Sequence, residues 1–380
     1  MFSPTALSEP VLATYVEADG KGVDIVDLCR RLIGEYQYLE EKPSGKLISC
    51  ERNIPIVESN LKDVKDAMTR LSGMNPFLLG PPTKTEELRA ATQGKTFSRL
   101  TLLSSFGSSP HITGKNFYNK GDLSKKQVER LYWTMKLRWT CSIINQAVAQ
   151  MIPELKKRGY SGFILPHGKT VSFESLHFAL LEVVPREYTI FQFESPLPDY
   201  MIKMMDNKMG IKNLWNDGPT AIEQLSKVDK DHGLLVKHAV LAFNLPVESD
   251  GDQGGLFIVD PTGSQFQAWS PTGGLVNWGF WENYEKSYPV EKIIITEFEP
   301  HFCRDPTFLM RNLGPTLLHN VVNNLLLPAC NFCGDVEKKN GKRSVDLKKC
   351  KGCMLAVYCD STCQKLAWPT HKSICRSSDN

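Results

Sequence analysis

The chain has 380 residues, 41% hydrophobic and 23% charged, with a mean hydropathy of −0.26. That composition buries a core and excludes a disordered chain, a collagen-like chain and a disulfide mini-protein. The length suggests two or three domains at ~100–200 residues each, and the formal charge of +3 is too small to argue for nucleic acid by itself.

Met1 to Pro10 has no basic region and no apolar region, so no secretory signal is expected there. The apolar stretch from Gly233 to Pro246 is interrupted by Lys237 and His238, and nothing approaches the ~18–20 apolar residues of a membrane span. An intracellular protein, of cytoplasm and/or nucleus, is the expectation; clustered thiols there are metal ligands rather than disulfides.

In chain order, Asp24 to Gly34 repeats its apolar residues at helical spacing, as does Leu61 to Leu71. Gly73 to Gly114, rich in Gly, Pro, Ser and Thr, reads as loops. A helical pattern runs from Gly121 through Val128, Leu131, Met135 and Trp139, with Asp122 or Ser124 as cap, and again from Cys141 towards Leu155. Strand-like segments follow at Gly162 to Leu165, Phe178 to Val184, Tyr188 to Phe193, Ala239 to Phe243, Leu256 to Val259 and Lys292 to Phe298. Asp305 to Leu327 is helical, with Gly314-Pro315 as a break. Helices first and strands later predict an α+β fold, with helices packed on a mainly antiparallel sheet. Trp269, Trp278, Phe280, Trp281 and Tyr284 read as core or interface packing, with a groove lining as the other reading.

Seven of the eleven cysteines fall in the last 51 residues. From Cys330 the pattern is C-x2-C-x16-C-x2-C-x5-C-x3-C-x7-H-x3-C, through Cys333, Cys350, Cys353, Cys359, Cys363 and His371 to Cys375. Eight soft or borderline ligands in four close pairs are what two tetrahedral zinc ions require. Cys359/Cys363 and His371/Cys375 are each four apart and would share a face on short helices. So small a stretch has few large apolar residues, and metal must supply much of its folding energy. With every ligand drawn from the protein, the ions are structural, not catalytic.

This spacing, with Tyr358 before Cys359, Gln364 after Cys363 and Trp368-Pro369 before His371, resembles the MYND-type zinc finger over residues 330–375. The resemblance implies a cross-braced arrangement. One ion takes Cys330, Cys333, Cys359 and Cys363; the other takes Cys350, Cys353, His371 and Cys375. It also implies binding of short, often proline-containing peptides of partner proteins. Lys338 to Arg343, inside the long x16 gap, reads as an exposed hairpin insertion. The segment from 330 holds ten Lys+Arg against five Asp+Glu. Seven metal-bound thiolates against two dications shrink that surplus by three. Without interleaved aromatics or a recognition helix, nucleic acid is not the expected partner.

A second constellation lies upstream. His238 begins the strand pattern ending at Phe243, and Asp260 ends the one beginning at Leu256, with a turn-rich loop between. In an antiparallel hairpin centred on Ser249, His238 and Asp260 lie opposite each other, close enough for a carboxylate–imidazole contact. A carboxylate orients a base in this way in a nucleophile–His–Asp arrangement. The His-Ala…Asp-Pro-Thr pattern resembles the transglutaminase-like, papain-related superfamily, which implies a cysteine nucleophile at a helix N-terminus. The matching residue is Cys141, unless Val128 to Leu155 is one helix and Cys141 is a buried apolar residue within it. His177 is a rival base.

The sequence therefore predicts an α+β domain over residues 1–328 and a two-zinc finger over 330–375. The expected function is protein–protein interaction through the finger. The alternative is a cysteine-dependent hydrolase or acyl transferase in which Cys141 is nucleophile, His238 base and acid, and Asp260 the orienting carboxylate.

Overall fold

The structure is a computed structural model that describes residues 20–39, 44–61, 85–105, 130, 133, 141–185, 187–193, 220–222, 227–229, 233–246, 254–266, 268–271, 274–299, 308–325, 327–336 and 346–375. Its described helices include α1 (Ile25–Leu39), α2 (Thr85–Thr92), α3 (Cys141–Lys157), α4 (Trp281–Ser287), α5 (Phe308–Asn323) and α6 (Ser361–Ile374). Among the described residues, thirteen strands precede α5: β1 (Lys21–Asp24), β2 (Ser44–Pro55), β3 (Thr96–Ser105), β4 (Tyr160–Ile164), β5 (Thr170–Ser172), β6 (Leu176–Pro185), β7 (Glu187–Phe193), β8 (Thr220–Ile222), β9 (Lys227–Asp229), β10 (Gly233–Leu245), β11 (Gly255–Asp260), β12 (Asn277–Phe280) and β13 (Val290–Glu299). The fold mixes helix and sheet.

The central sheet has the order β12-β11-β10-β6-β13, antiparallel throughout. Both faces are buried, which is why Ala239 to Phe243 reads as an unbroken apolar run rather than an alternating one. Leu241, Phe243, Phe257 and Val259 point into the larger core with α1, α3 and α5. Val240, Ala242 and Ile258 point into a second core that includes Phe97, Tyr284 and Tyr288.

α1 forms where the sequence says a helix should begin. Asp24 caps it by accepting a hydrogen bond from the Asp27 amide at 2.8 Å. Ile25, Leu28, Cys29, Leu32, Ile33 and Tyr36 then recur on one face, and all are buried. α3 buries Ile143, Ile144, Ala147, Val148, Met151 and Leu155 in the same core. α5 is held at its C-terminal end, where helix carbonyls lack intrahelical partners. Arg31 Nη1 donates to the Asn324 and Leu327 carbonyls at 2.9 and 3.0 Å, and Arg158 Nη1 to the Val322 carbonyl at 3.1 Å.

Two expectations need correction. The stretch from Gly73 to Gly114 contains α2 and β3 as well as turns. Thr85 to Thr92 carries Glu, Leu, Arg and Ala, which are good helix formers, and β3 pairs on both sides, with β2 and β7. Gly314-Pro315 does not break the helix expected over 305–327, since α5 runs through it. The helical patterns at 62–71 and 121–140, apart from Arg130 and Trp133, and the insertion at 338–343 lie outside the described residues.

Candidate functional site

The eight predicted metal ligands form two groups: Cys330, Cys333, Cys359 and Cys363, and Cys350, Cys353, His371 and Cys375. Within each group all ligand atoms lie within 4.8 Å of one another. In the first, Cys333 and Cys359 sulfurs are 3.3 Å apart, and Cys359 and Cys363 3.6 Å. In the second, Cys350 and Cys375 sulfurs are 3.8 Å apart, and His371 Nε2 lies 3.2 Å from Cys350 Sγ and 3.5 Å from Cys353 Sγ. A tetrahedron with ~2.3 Å zinc–sulfur bonds has edges of about 3.8 Å. The donor set and its spacing therefore fit two structural zinc ions, in the interleaved pairing that the resemblance implied.

The local backbone explains how each knuckle closes. The Gly334 amide donates to the Cys330 carbonyl at 2.9 Å, and the Met354 amide to the Cys350 carbonyl at 2.8 Å. Gly334 and Met354, each following the second cysteine of a C-x2-C pair, both have positive φ, +78° and +57°. Strands β14 (Lys348–Lys349) and β15 (Val357–Tyr358) pair beside the second knuckle. Cys359 and Cys363 do not share a helix face as expected. Cys359 precedes the Asp360 cap of α6, whose side chain accepts from the Thr362 and Cys363 amides at 2.9 and 2.8 Å. One helix thus supplies Cys363 near its start and His371 near its end, and ties the two sites together.

The finger is packed into the larger core. Phe332 is buried and meets Trp133 edge-on, with ring centroids 6.1 Å apart. Arg30 Nη1 donates to the Asn331 carbonyl. A Cβ on Gly34 would lie 3.0 Å from the Gly334 carbonyl group, and one on Gly334 would overlap the Arg30 carbonyl. The first knuckle therefore docks on α1 through bare backbone. The second knuckle does not share this burial: Leu355 is 87% exposed, Met354 49% and, on α6, Trp368 42%.

The upstream constellation also comes together. His238 Nε2 lies 3.0 Å from Asp260 Oδ1, with both side chains fully buried. The hairpin that brings them together is centred on residue 250, since Leu241 pairs with Val259 and Leu245 with Gly255. The predicted register is thus wrong by two residues. A two-residue shift preserves the alternation of faces, so His238 and Asp260 become diagonal neighbours instead of opposite ones. Asp260 Oδ1 also accepts from the Thr262 amide at 3.0 Å, and Oδ2 from the Tyr284 and Tyr288 hydroxyls at 2.8 and 3.1 Å.

Cys141 stands at the start of α3 as described, residues 134–140 before it lying outside the described residues, and its side chain hydrogen-bonds His238. A helix N-terminus favours a thiolate. Burial opposes a charge on His238, but the Asp260 carboxylate and the Cys141 sulfur outweigh it and raise the imidazole from 6.5 to about 10. Burial, then Asp260, pushes both tyrosines well above their usual value, so they stay donors. His177, the rival base, sits opposite Ala242 on the neighbouring strand, four residues along β10 from His238, or roughly 13 Å. It takes no part in this cluster.

Sequence reasoning missed Gln265 and Tyr288, and named Tyr284 only as core packing or a groove lining. Gln265 Nε2 lies 2.9 Å from His238 Nδ1. Tyr284 and Tyr288 are four apart across α4 and its C-terminal cap, a spacing that could have marked them as one face. Among the remaining aromatics, half-buried Trp278 stacks on Phe257, Phe280 meets Phe257 edge-on and Trp281 packs on Tyr284.

A family model described as the MYND finger matches residues 330–375. No solved structure matches the chain. With all eight ligand positions filled and grouped as two four-ligand sites, residues 330–375 are a MYND zinc finger.

Proposed function

We propose that the protein binds partner proteins through the free side of its finger. The observation that supports this is the contrast between the two knuckles. Phe332 of the first is buried against Trp133, whereas Met354 and Leu355 of the second, with Trp368 of α6, face solvent. Large exposed side chains held rigidly by metal lose little entropy on binding and suit an apolar or proline-containing peptide. Leu355→Ser and Trp368→Ala are expected to weaken capture of such peptides tenfold or more while leaving two zinc ions per chain. Unchanged affinity in both variants would remove this reading.

A second reading is favoured by the Cys141–His238–Asp260 cluster, which supports the transglutaminase-like resemblance of the larger domain. The Cys141 thiolate would attack a carbonyl carbon, and His238 would pass its proton to the departing group, leaving an acyl-thioester on Cys141. Attack by water, with His238 as base, would then release the acid; attack by an amine would give acyl transfer instead. Trapping an acyl group on Cys141 with an activated ester, and its loss in His238→Asn, tests this reading.

A further inference from the structure

His238 has two ring nitrogens, and both are engaged from one short segment. Asp260 holds Nε2, and an ionised carboxylate only accepts, so Nε2 carries the hydrogen. In the neutral ring Nδ1 then keeps the lone pair, and it is where the second proton of the imidazolium adds. Gln265, 8% exposed, places its amide nitrogen 2.9 Å from that same Nδ1 and 3.3 Å from Thr262 Oγ1. Around the neutral ring, an amide nitrogen with two hydrogens meets two acceptors in this arrangement; around the imidazolium the amide must present its oxygen to Nδ1–H. The segment fixes the amide in turn: the Gln265 backbone amide donates to the Thr262 carbonyl at 3.0 Å, and Phe266 meets the His238 ring edge-on with centroids 5.0 Å apart.

Resting on the second reading above, we infer that Gln265 is a positioning residue that restrains proton transfer from Cys141 by occupying the lone pair of His238 Nδ1. The amide donor stabilises the neutral ring. Charge separation requires it to withdraw or turn its oxygen to the new N–H. Asp260 and the Cys141 sulfur pull the ring towards imidazolium; Gln265 pulls the other way. Among the described residues, the titratable groups around the ring are Asp260 from β11 and Cys141 from α3, with Tyr284 of α4 and Tyr288 at its end reached through Asp260. Cys29 of α1 lies near enough to feel Asp260, but burial pushes its thiol up and keeps it neutral. None of these competes for Nδ1 as a neutral donor except Gln265 and the thiol itself.

The test is the pH dependence of Cys141 alkylation by iodoacetamide in the full zinc-loaded chain, followed on the Cys141 peptide by mass spectrometry. Gln265→Met, close in volume but no donor, and Gln265→Ala are both expected to shift the acid-side inflection to lower pH. A shift of about one unit makes alkylation roughly tenfold faster below the inflection. A curve that superimposes on wild type, or moves to higher pH, overturns the inference. His238→Asn separates the two levels. If it changes the wild-type profile while the Gln265 variants do not, only the role of Gln265 fails; if it leaves the profile unchanged, the thiol–imidazole reading fails and the inference with it.

Discussion

Gly334, in the first zinc knuckle, lies so close to the Arg30 carbonyl of α1 that no side-chain carbon fits between them. Gly34, one turn further along α1, meets the Gly334 carbonyl in the same way. Finger and helix are thus joined by backbone contact, and the adjoining Phe332–Trp133 pair extends the joint into the core. This joint turns Phe332 inward, while Leu355 and Trp368 stay exposed.

Gly334→Ala should therefore loosen the joint without removing a ligand. The new methyl overlaps a helical carbonyl that cannot move alone, and the positive φ adds strain. We expect about 1–3 kcal/mol of lost stability in urea denaturation, with zinc content still two per chain. Wild-type stability would mean that the knuckle moves off α1 at no cost.

Gly263 has a similar role beside Asp260. A Cβ there would lie 2.5 Å from Asp260 Oδ2, which is pinned by the hydroxyls of Tyr284 and Tyr288, and 3.2 Å from the Ala268 carbonyl. Gly263→Ala is expected to displace the carboxylate, lower stability by about 1–3 kcal/mol and slow Cys141 alkylation at neutral pH. An unchanged alkylation rate would show that Asp260 does not set the state of His238.

The sign of the pH dependence follows from His238. Its imidazole is raised from 6.5 to about 10 in the folded chain, against burial, chiefly by Asp260. A raised value means that the folded state holds the proton more tightly than the unfolded one. The stabilisation is complete below pH 6.5 and is lost as pH rises through about 10. The stability difference between wild type and His238→Gln should therefore narrow across that window in urea titrations; a constant difference would contradict it.

The finger was legible because its determinants are local. Ligand type and spacing mark four close pairs for two ions, but which pairs share an ion was implied by the resemblance to the MYND finger and not by spacing. The His238–Asp260 contact was legible for a weaker reason. Strand alternation has period two, so an error of two residues in register keeps both side chains on one face, whereas an error of one would have separated them. Gln265 carried no signal. It reaches Nδ1 only because Gly263 to Phe266 forms a short 3-10 turn after Asp260, and nothing in Gly-Ser-Gln-Phe announces that turn. The docking of Gly334 on α1 was equally hidden, because it joins residues 304 apart through backbone alone, with no side chain to mark it.

The central claim is that the zinc finger is built into the body of the protein. Hydrogen exchange of the full chain, with and without a zinc chelator, tests it most directly. The structure predicts that α1 and α5 lose amide protection together with residues 330–375 when the metal is removed. Loss confined to residues 330–375, with α1 and α5 as protected as before, would contradict it.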